Sequence, residues 1–209
     1  MTTMIRVFVV DDHAVVREGI KRIVQTAPDM MLVGEAGDGD EVLARAEHES
    51  WDVLVLDLSL PGRSGLDVLT RIKQRRPQTK VVILTMHAED QYALRVLRAG
   101  ADGYLTKGRS SQELLEAIRK VASEGKYVTG RLAELLLSGS TSEHPHESLS
   151  DREHEILVML GRGMTPSAVA DALAVKPSTV STHVRSIKDK LGAESLGDLV
   201  QYAVRAGLV

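Results

Sequence analysis

The stretch Ile5-Arg6-Val7-Phe8-Val9-Val10-Asp11-Asp12-His13 runs from a nearly unbroken apolar segment straight into two adjacent carboxylates. A short run rich in β-branched side chains, closed by a polar break, predicts a strand buried on both faces, as in a parallel sheet. Two like charges at the mouth of a core each raise the free energy of ionising the other. A positive partner is therefore expected beside them.

The same pattern recurs outward from this point. "MMLVGEA" (30–36), "DVLVLDL" (52–58), "KVVILTM" (80–86) and "GYLTK" (103–107) are further short apolar runs, and the segments between them predict amphipathic helices near 14–26, 38–48, 64–75, 89–99 and 110–124. This βα alternation predicts an α/β domain with a doubly wound, five-stranded parallel sheet covered by helices on both faces. Gly100 and Gly125 fall where helix C-caps are expected.

Past Tyr127 the pattern changes. "TGRLAELLLSG" (129–139) predicts one short helix, and "SGSTSEHPHES" (138–148) is polar, carries a proline and has no apolar period, which predicts a linker. Beyond it, "LSDREHEILVMLGRG", "PSAVADALA", "PSTVSTHVRSIKDKLG" and "SLGDLVQYAVRAGL" predict four helices and no strand. The expected organisation is a first domain over 1–125, a linker with one short helix over 126–147 and an all-α domain over 148–209.

Composition narrows the chemistry. The 209 residues include no Cys, which excludes disulfides, thiolate catalysis and zinc knuckles. No run reaches the roughly 18 apolar residues of a membrane helix, and "MTTMIRV" has no export signal, so a soluble, cytoplasmic protein without a membrane partner is expected. Net charge is −3 overall, and residues 148–209 carry seven basic and seven acidic side chains. Between 176 and 190, however, stand four cations and one acid. Positive charge is concentrated on one predicted helix.

In an open parallel sheet, functional groups gather beyond the carboxyl ends of the strands. Those ends carry Asp11 and Asp12, Asp57, Thr85 and Lys107. Three carboxylates at close quarters call for a cation, and oxygen-only ligands suit a hard ion such as Mg²⁺. A carboxylate-held metal beside an ammonium and a hydroxyl matches what phosphoryl transfer demands, and Asp57, closing the central strand, is the best-placed nucleophile. "GEAGDGDE" (34–41) lacks the spacing of a nucleotide-binding loop and reads as an ordinary turn. His13 and His87 read as structural or exposed side chains.

"VVDDH", "VLDLSLPGRSGLDVL", "VVILTMH" and "GYLTKG" together resemble the receiver domain of two-component response regulators, over about residues 4–125. The resemblance implies a flavodoxin-like strand order 2-1-3-4-5 and Asp57 as phosphoacceptor. It implies Mg²⁺ held by Asp11, Asp12, Asp57 and the Ser59 backbone carbonyl, Lys107 paired with the phosphoryl group, and Thr85 and Tyr104 as a switch pair in which Tyr104 turns inward after phosphorylation. Gly108 stands where many receivers have Pro, which leaves the Lys107–Gly108 peptide geometry open. A sensor histidine kinase is the implied partner.

In the C-terminal part, a short helix, a tight turn at Ala174-Val175-Lys176 and a second helix follow the helix-turn-helix scheme. Val180, Val184, Ile187 and Leu191 share one helical face and are expected to pack inward. "LSDREHEIL", "STVSTHV" and "KDKLG" resemble the LuxR-type helix-turn-helix of the NarL/FixJ class. By that resemblance Ser181, Thr182 and Arg185 face base edges, Lys176, Thr179, Lys188 and Lys190 meet phosphates, and Glu153, Val180 and His183 are scaffold residues. Ser181 stands where a base-reading Lys is common, so Arg185 is the expected main specificity contact. Double-stranded operator DNA and a homodimer spanning two half-sites are implied.

The expectation is a phosphorylation-switched transcription regulator rather than an enzyme, with slow self-dephosphorylation at most. Two alternatives remain open at this point. One is a regulator of the same fold controlled by dimerisation or a ligand, with Asp57 rarely modified; the other is a phosphohydrolase using Asp57, for which the chain offers no substrate-binding insertion.

Overall fold

A computed structural model describes residues 4–86, 89–137 and 145–209. The chain divides into two compact units, Met1–Gly139 and Ser140–Val209. His87 and residues 138–144 of the predicted linker lie outside the described residues.

The first unit is a five-stranded sheet in the order β2-β1-β3-β4-β5, with β1 Ile5–Val10, β2 Met30–Ala36, β3 Val53–Leu56, β4 Lys80–Thr85 and β5 Gly103–Thr106. Every pairing is parallel. Helices α1 (Ala14–Gln25), α2 (Gly39–Arg45), α3 (Gly65–Arg75) and α4 (Glu89–Arg98) connect the strands, and α5 (Ser111–Ser123) follows β5. Period-two alternation splits each strand between two cores. Val7, Val9, Val53, Val55, Val82, Leu84 and Leu105 pack with residues of α1 and α5. Their neighbours Phe8, Leu54, Leu56, Ile83 and Tyr104 point to the other face and are equally buried.

Asp38, Ser64 and Ser110 cap α2, α3 and α5 by accepting a hydrogen bond from the backbone three residues on. Gly100 and Gly125 end α4 and α5 with φ of 104° and 86°, as their positions in the sequence suggest. Helix α2 is shorter than its apolar period predicts, ending at Arg45. Helix α6 (Gly130–Leu137) is the short helix expected at the start of the linker; it packs against α4 as part of the first unit, with Leu132 fully buried.

The second unit contains a 3-10 turn (Pro145–Ser148) and helices α7 (Asp151–Gly161), α8 (Pro166–Ala172), α9 (Pro177–Leu191) and α10 (Leu196–Arg205). Pro166 and Pro177 open α8 and α9, where a missing N–H is harmless. Between those helices Ala174 adopts φ 50°, and the N–H groups of Ala174 and Val175 reach back to the carbonyls of Asp171 and Ala170. This is a Schellman-type stop, normally glycine's place. Val180 and Ile187 of α9 are buried, while Val184 and Leu191 are half-buried. Among the described residues, no helix is long and apolar enough to cross a membrane.

Candidate functional site

The strand ends of the first unit bring the expected pocket together. The backbone ladder continues one residue past β1, β3 and β5: Asp11 N–H donates to Ala36 O, Asp57 N–H to Val10 O and Lys107 N–H to Thr85 O. Each functional residue is thereby placed by the sheet rather than by a free loop. Gly65, at the first turn of α3, donates to Leu58 O at 2.9 Å, and a Cβ there would come within 2.1 Å of Asp57 O. Only glycine lets α3 sit this close behind the aspartate.

Asp11 and Asp57 are each 2% exposed. Lys107 Nζ bridges them, 2.7 Å from Asp11 Oδ2 and 2.6 Å from Asp57 Oδ2. Burial disfavours its ammonium form, but the two carboxylates outweigh that and hold its pKa above the usual lysine value. The Ser59 N–H donates to Asp57 Oδ1 at 3.3 Å. Thr85 and Tyr104 are both fully buried. The inward turn that sequence reasoning assigned to phosphorylated protein is thus already made by Tyr104 in this conformation. No peptide among the described residues is cis, which settles the Lys107–Gly108 bond as trans.

Asp12 completes the acid group, and one ligand atom from each of Asp11, Asp12, His13 and Asp57 lies within 4.8 Å of the others. Three carboxylates against the single Lys107 ammonium leave a formal deficit equal to the charge of a divalent cation. The donor set fits one: two buried carboxylates and a third at the surface, all hard oxygen donors. Asp11, Asp12 and Asp57 are therefore the residues able to hold it.

Two contributors escaped the sequence reading. Arg17 on α1 donates from Nη1 to Asp11 O at 2.7 Å and pairs through Nε with Glu35 at 3.3 Å, fixing the turn that carries both acids. His13 is exposed, in line with its sequence reading, but its contact with the acids has no counterpart there: its Nδ1 lies 2.7 Å from Asp12 Oδ1 and 3.3 Å from Asp11 Oδ1. Adjacency to "DD" was the available signal for His13; Arg17, one helical turn further on, had none.

In the second unit, α9 presents Thr179, Ser181, Thr182 and Arg185 to solvent, and Lys176 is exposed at its start. The hydroxyls of Ser181 and Thr182 donate to the carbonyls of Pro177 and Ser178, both at 3.0 Å. What they present outward is oxygen lone pairs. Two of the three lysines expected at phosphates have partners within the unit. Lys188 Nζ donates to Glu194 O at 2.9 Å, and Lys190 Nζ is paired with Glu153 at 2.7 Å.

Glu153 is buried, as a scaffold residue should be. It also accepts from Ser186 Oγ and, in a capping box, from the Ser150 N–H, both at 2.6 Å. Burial alone would raise its pKa; Lys190, Ser186 and Ser150 together overcome this and bring it to about 2. Burial holds the half-buried His183 below the usual histidine value, which favours the neutral ring.

Comparison with known proteins gives matches across both units. Residues 7–119 match the model of the response regulator receiver domain, and residues 147–203 match that of the bacterial regulatory proteins of the luxR family. The chain is similar to the response regulator GacA of Pseudomonas aeruginosa, 36% identical over 99% of this chain and 98% of that one. It is also similar to RcsB of Salmonella enterica serovar Typhimurium, solved bound to promoter rprA in the presence of the phosphomimetic BeF3-. That likeness has a TM-score of 0.67 and 25% identity over 96% of this chain and 98% of that one. A further structure, of two RcsB dimers bound to two parallel DNAs, aligns with a TM-score of 0.61 and 25% identity over 97% and 98% of the two chains.

Proposed function

The chain belongs to the response regulators, with a receiver domain followed by a luxR-family DNA-binding domain, and on that premise we propose that phosphorylation of Asp57 by a sensor histidine kinase controls its binding to operator DNA as a dimer. The observation that carries this reading is the buried pair Asp11 and Asp57 bridged by Lys107, a site short of positive charge and built around one reactive carboxylate.

An Asp57 carboxylate oxygen attacks the phosphorus of the kinase's phosphohistidine, and the P–N bond breaks as the imidazole leaves. Asp11, Asp12, Asp57 and the Ser59 carbonyl would hold Mg²⁺, which when bound would supply the positive charge an anionic nucleophile needs to meet an anionic phosphoryl group. The product carries about −1.5 to −2 charges. Lys107 then follows the new oxygens, and the Thr85 hydroxyl donates to them. With Tyr104 already inside, this pull locks its position rather than creating it, and the β4–β5 edge with α4 is the surface whose populations shift. Water attack on the acyl phosphate reverses the step slowly; turnover of substrates is not part of the function.

In the second unit the first half of α9 enters the major groove. Lys176, at an N-cap without a side-chain cap bond, suits a phosphate, with the Thr179 hydroxyl one turn on. Arg185 reads a guanine edge, and Ser181 and Thr182 accept from base amino groups. Lys188 and Lys190 act at longer range, held by Glu194 and Glu153. Supporting the DNA and dimer parts are the RcsB complexes, whose promoter-bound and dimeric forms share this chain's architecture. The protein acts in the cytoplasm, where kinase and chromosome meet.

The test is incubation with a small acyl phosphate and Mg²⁺, followed by intact-mass and peptide analysis. One acid-labile phosphate is expected, on Asp57, and none in Asp57→Ala. Equal labelling of that variant refutes the assignment.

A further inference from the structure

We propose that His13 is a nitrogen ligand of the divalent-cation site and shifts its preference from Mg²⁺ toward Mn²⁺. The inference rests on the cation reading for Asp11, Asp12 and Asp57 given above, and adds to it a donor that neither the oxygen-only sequence pattern nor the family likeness supplies.

Geometry brings the ring to the site. His13 Nδ1 belongs to the group whose ligand atoms lie within 4.8 Å of one another. Two donors on one ion with bonds of about 2.1 Å stand at most about 4.2 Å apart, so the group has only a small distance to contract. The side chains able to move are the surface ones, His13 at 65% and Asp12 at 32% exposure, while Asp11 is held at 2%. His13 is the N-cap residue of α1 but makes no side-chain cap bond, so its imidazole is not committed to the helix. Its backbone N–H donates to Asp11 Oδ1 at 2.9 Å, which ties the base of the side chain to a ligand carboxylate.

Chemistry then sets the preference. Mg²⁺ favours oxygen and sheds water reluctantly, whereas imidazole suits the first-row transition ions. Mg²⁺ and Mn²⁺ carry the same charge and both accept oxygen ligands, so the comparison between them isolates the nitrogen. Ligation uses the Nδ1 lone pair with the ring proton on Nε2, replacing the present contact between Nδ1 and Asp12.

Pulsed electron paramagnetic resonance of the Mn²⁺-loaded full chain reads nitrogen coordination directly. Strong modulation from a directly bound ¹⁴N is expected in the wild type and absent in His13→Ala and His13→Asn. Titration of each ion should show the Mn²⁺-over-Mg²⁺ preference falling about tenfold in both variants. Mn²⁺ bound without nitrogen coupling, or coupling that survives in His13→Ala, overturns the role of His13 and leaves the three-carboxylate site standing. Failure of the wild type to bind either ion at millimolar concentration overturns the cation reading itself, and this proposal with it.

Discussion

Lys107 and Lys190 each meet a buried carboxylate, at 2.6 Å from Asp57 and 2.7 Å from Glu153. Around Glu153 the accounting closes: Ser150 and Ser186 satisfy the remaining acceptor positions and a single lysine balances a single charge. Around Lys107 it stays open, because one ammonium serves both Asp11 and Asp57 with Asp12 alongside. In both clusters the carboxylates are buried, and they differ in charge balance. A balanced buried pair serves the fold, while on the proposed function an under-compensated one accepts a cation and a phosphoryl group. The exposed face of α9 is a third case, in which the proposed side-chain roles depend on a DNA partner.

The largest effect should come from breaking the open cluster. Lys107→Met leaves two carboxylates facing each other in the interior, and in chelator this should cost about 3–5 kcal/mol in urea denaturation. Added Mg²⁺ should recover part of the loss in the variant. Equal stability with and without Mg²⁺ would erase the distinction between the clusters.

The closed cluster is sharpened by acid. The Glu153 pKa is lowered from 4.5 unfolded to about 2 folded, so its contribution is fully present above pH 4.5 and disappears as pH falls through about 2. That contribution amounts to about 3 kcal/mol, of which about 2 is gone near pH 3. Hydrogen exchange of the α7–α10 amides in the full chain should show this acid sensitivity, and Glu153→Gln should flatten it. An unchanged pH profile in the variant would remove Glu153 as its source.

On the exposed face effects are smaller and depend on the DNA. Arg185→Ala should cost about 1–3 kcal/mol on a selected site and little on random sequence, whereas Lys176→Ala should weaken both and reduce the salt slope by about one. Equal losses on both DNAs would make Arg185 a phosphate anchor. The smallest change concerns the turn between α8 and α9. Ala174→Gly, relieving φ of 50°, should raise stability by about 0.5–1 kcal/mol in thermal unfolding without altering DNA affinity.

These contrasts explain what was readable in the sequence. Strands buried on both faces, the glycine stops at Gly100 and Gly125, and carboxylates placed at strand ends follow from periodicity and local backbone preference, so the sheet and its acidic rim were legible. The directions of surface side chains were not. His13 turns toward Asp12 and Lys190 pairs with Glu153, choices made by groups that the fold brings alongside. The Lys190 partner is distant in sequence, and no spacing rule links them. Tyr104 is fully buried, which its sequence position, naming only the strand, does not by itself specify.

The central claim is that the open charge cluster of the receiver governs the helices that bind DNA. Its most direct test is the affinity of the full chain for a selected operator, measured with Mg²⁺ in the presence and absence of beryllofluoride, for wild type and Asp57→Asn. Tighter binding with beryllofluoride in the wild type and no response in the variant is the predicted result; identical affinity under both conditions, or an equal response in Asp57→Asn, contradicts the account.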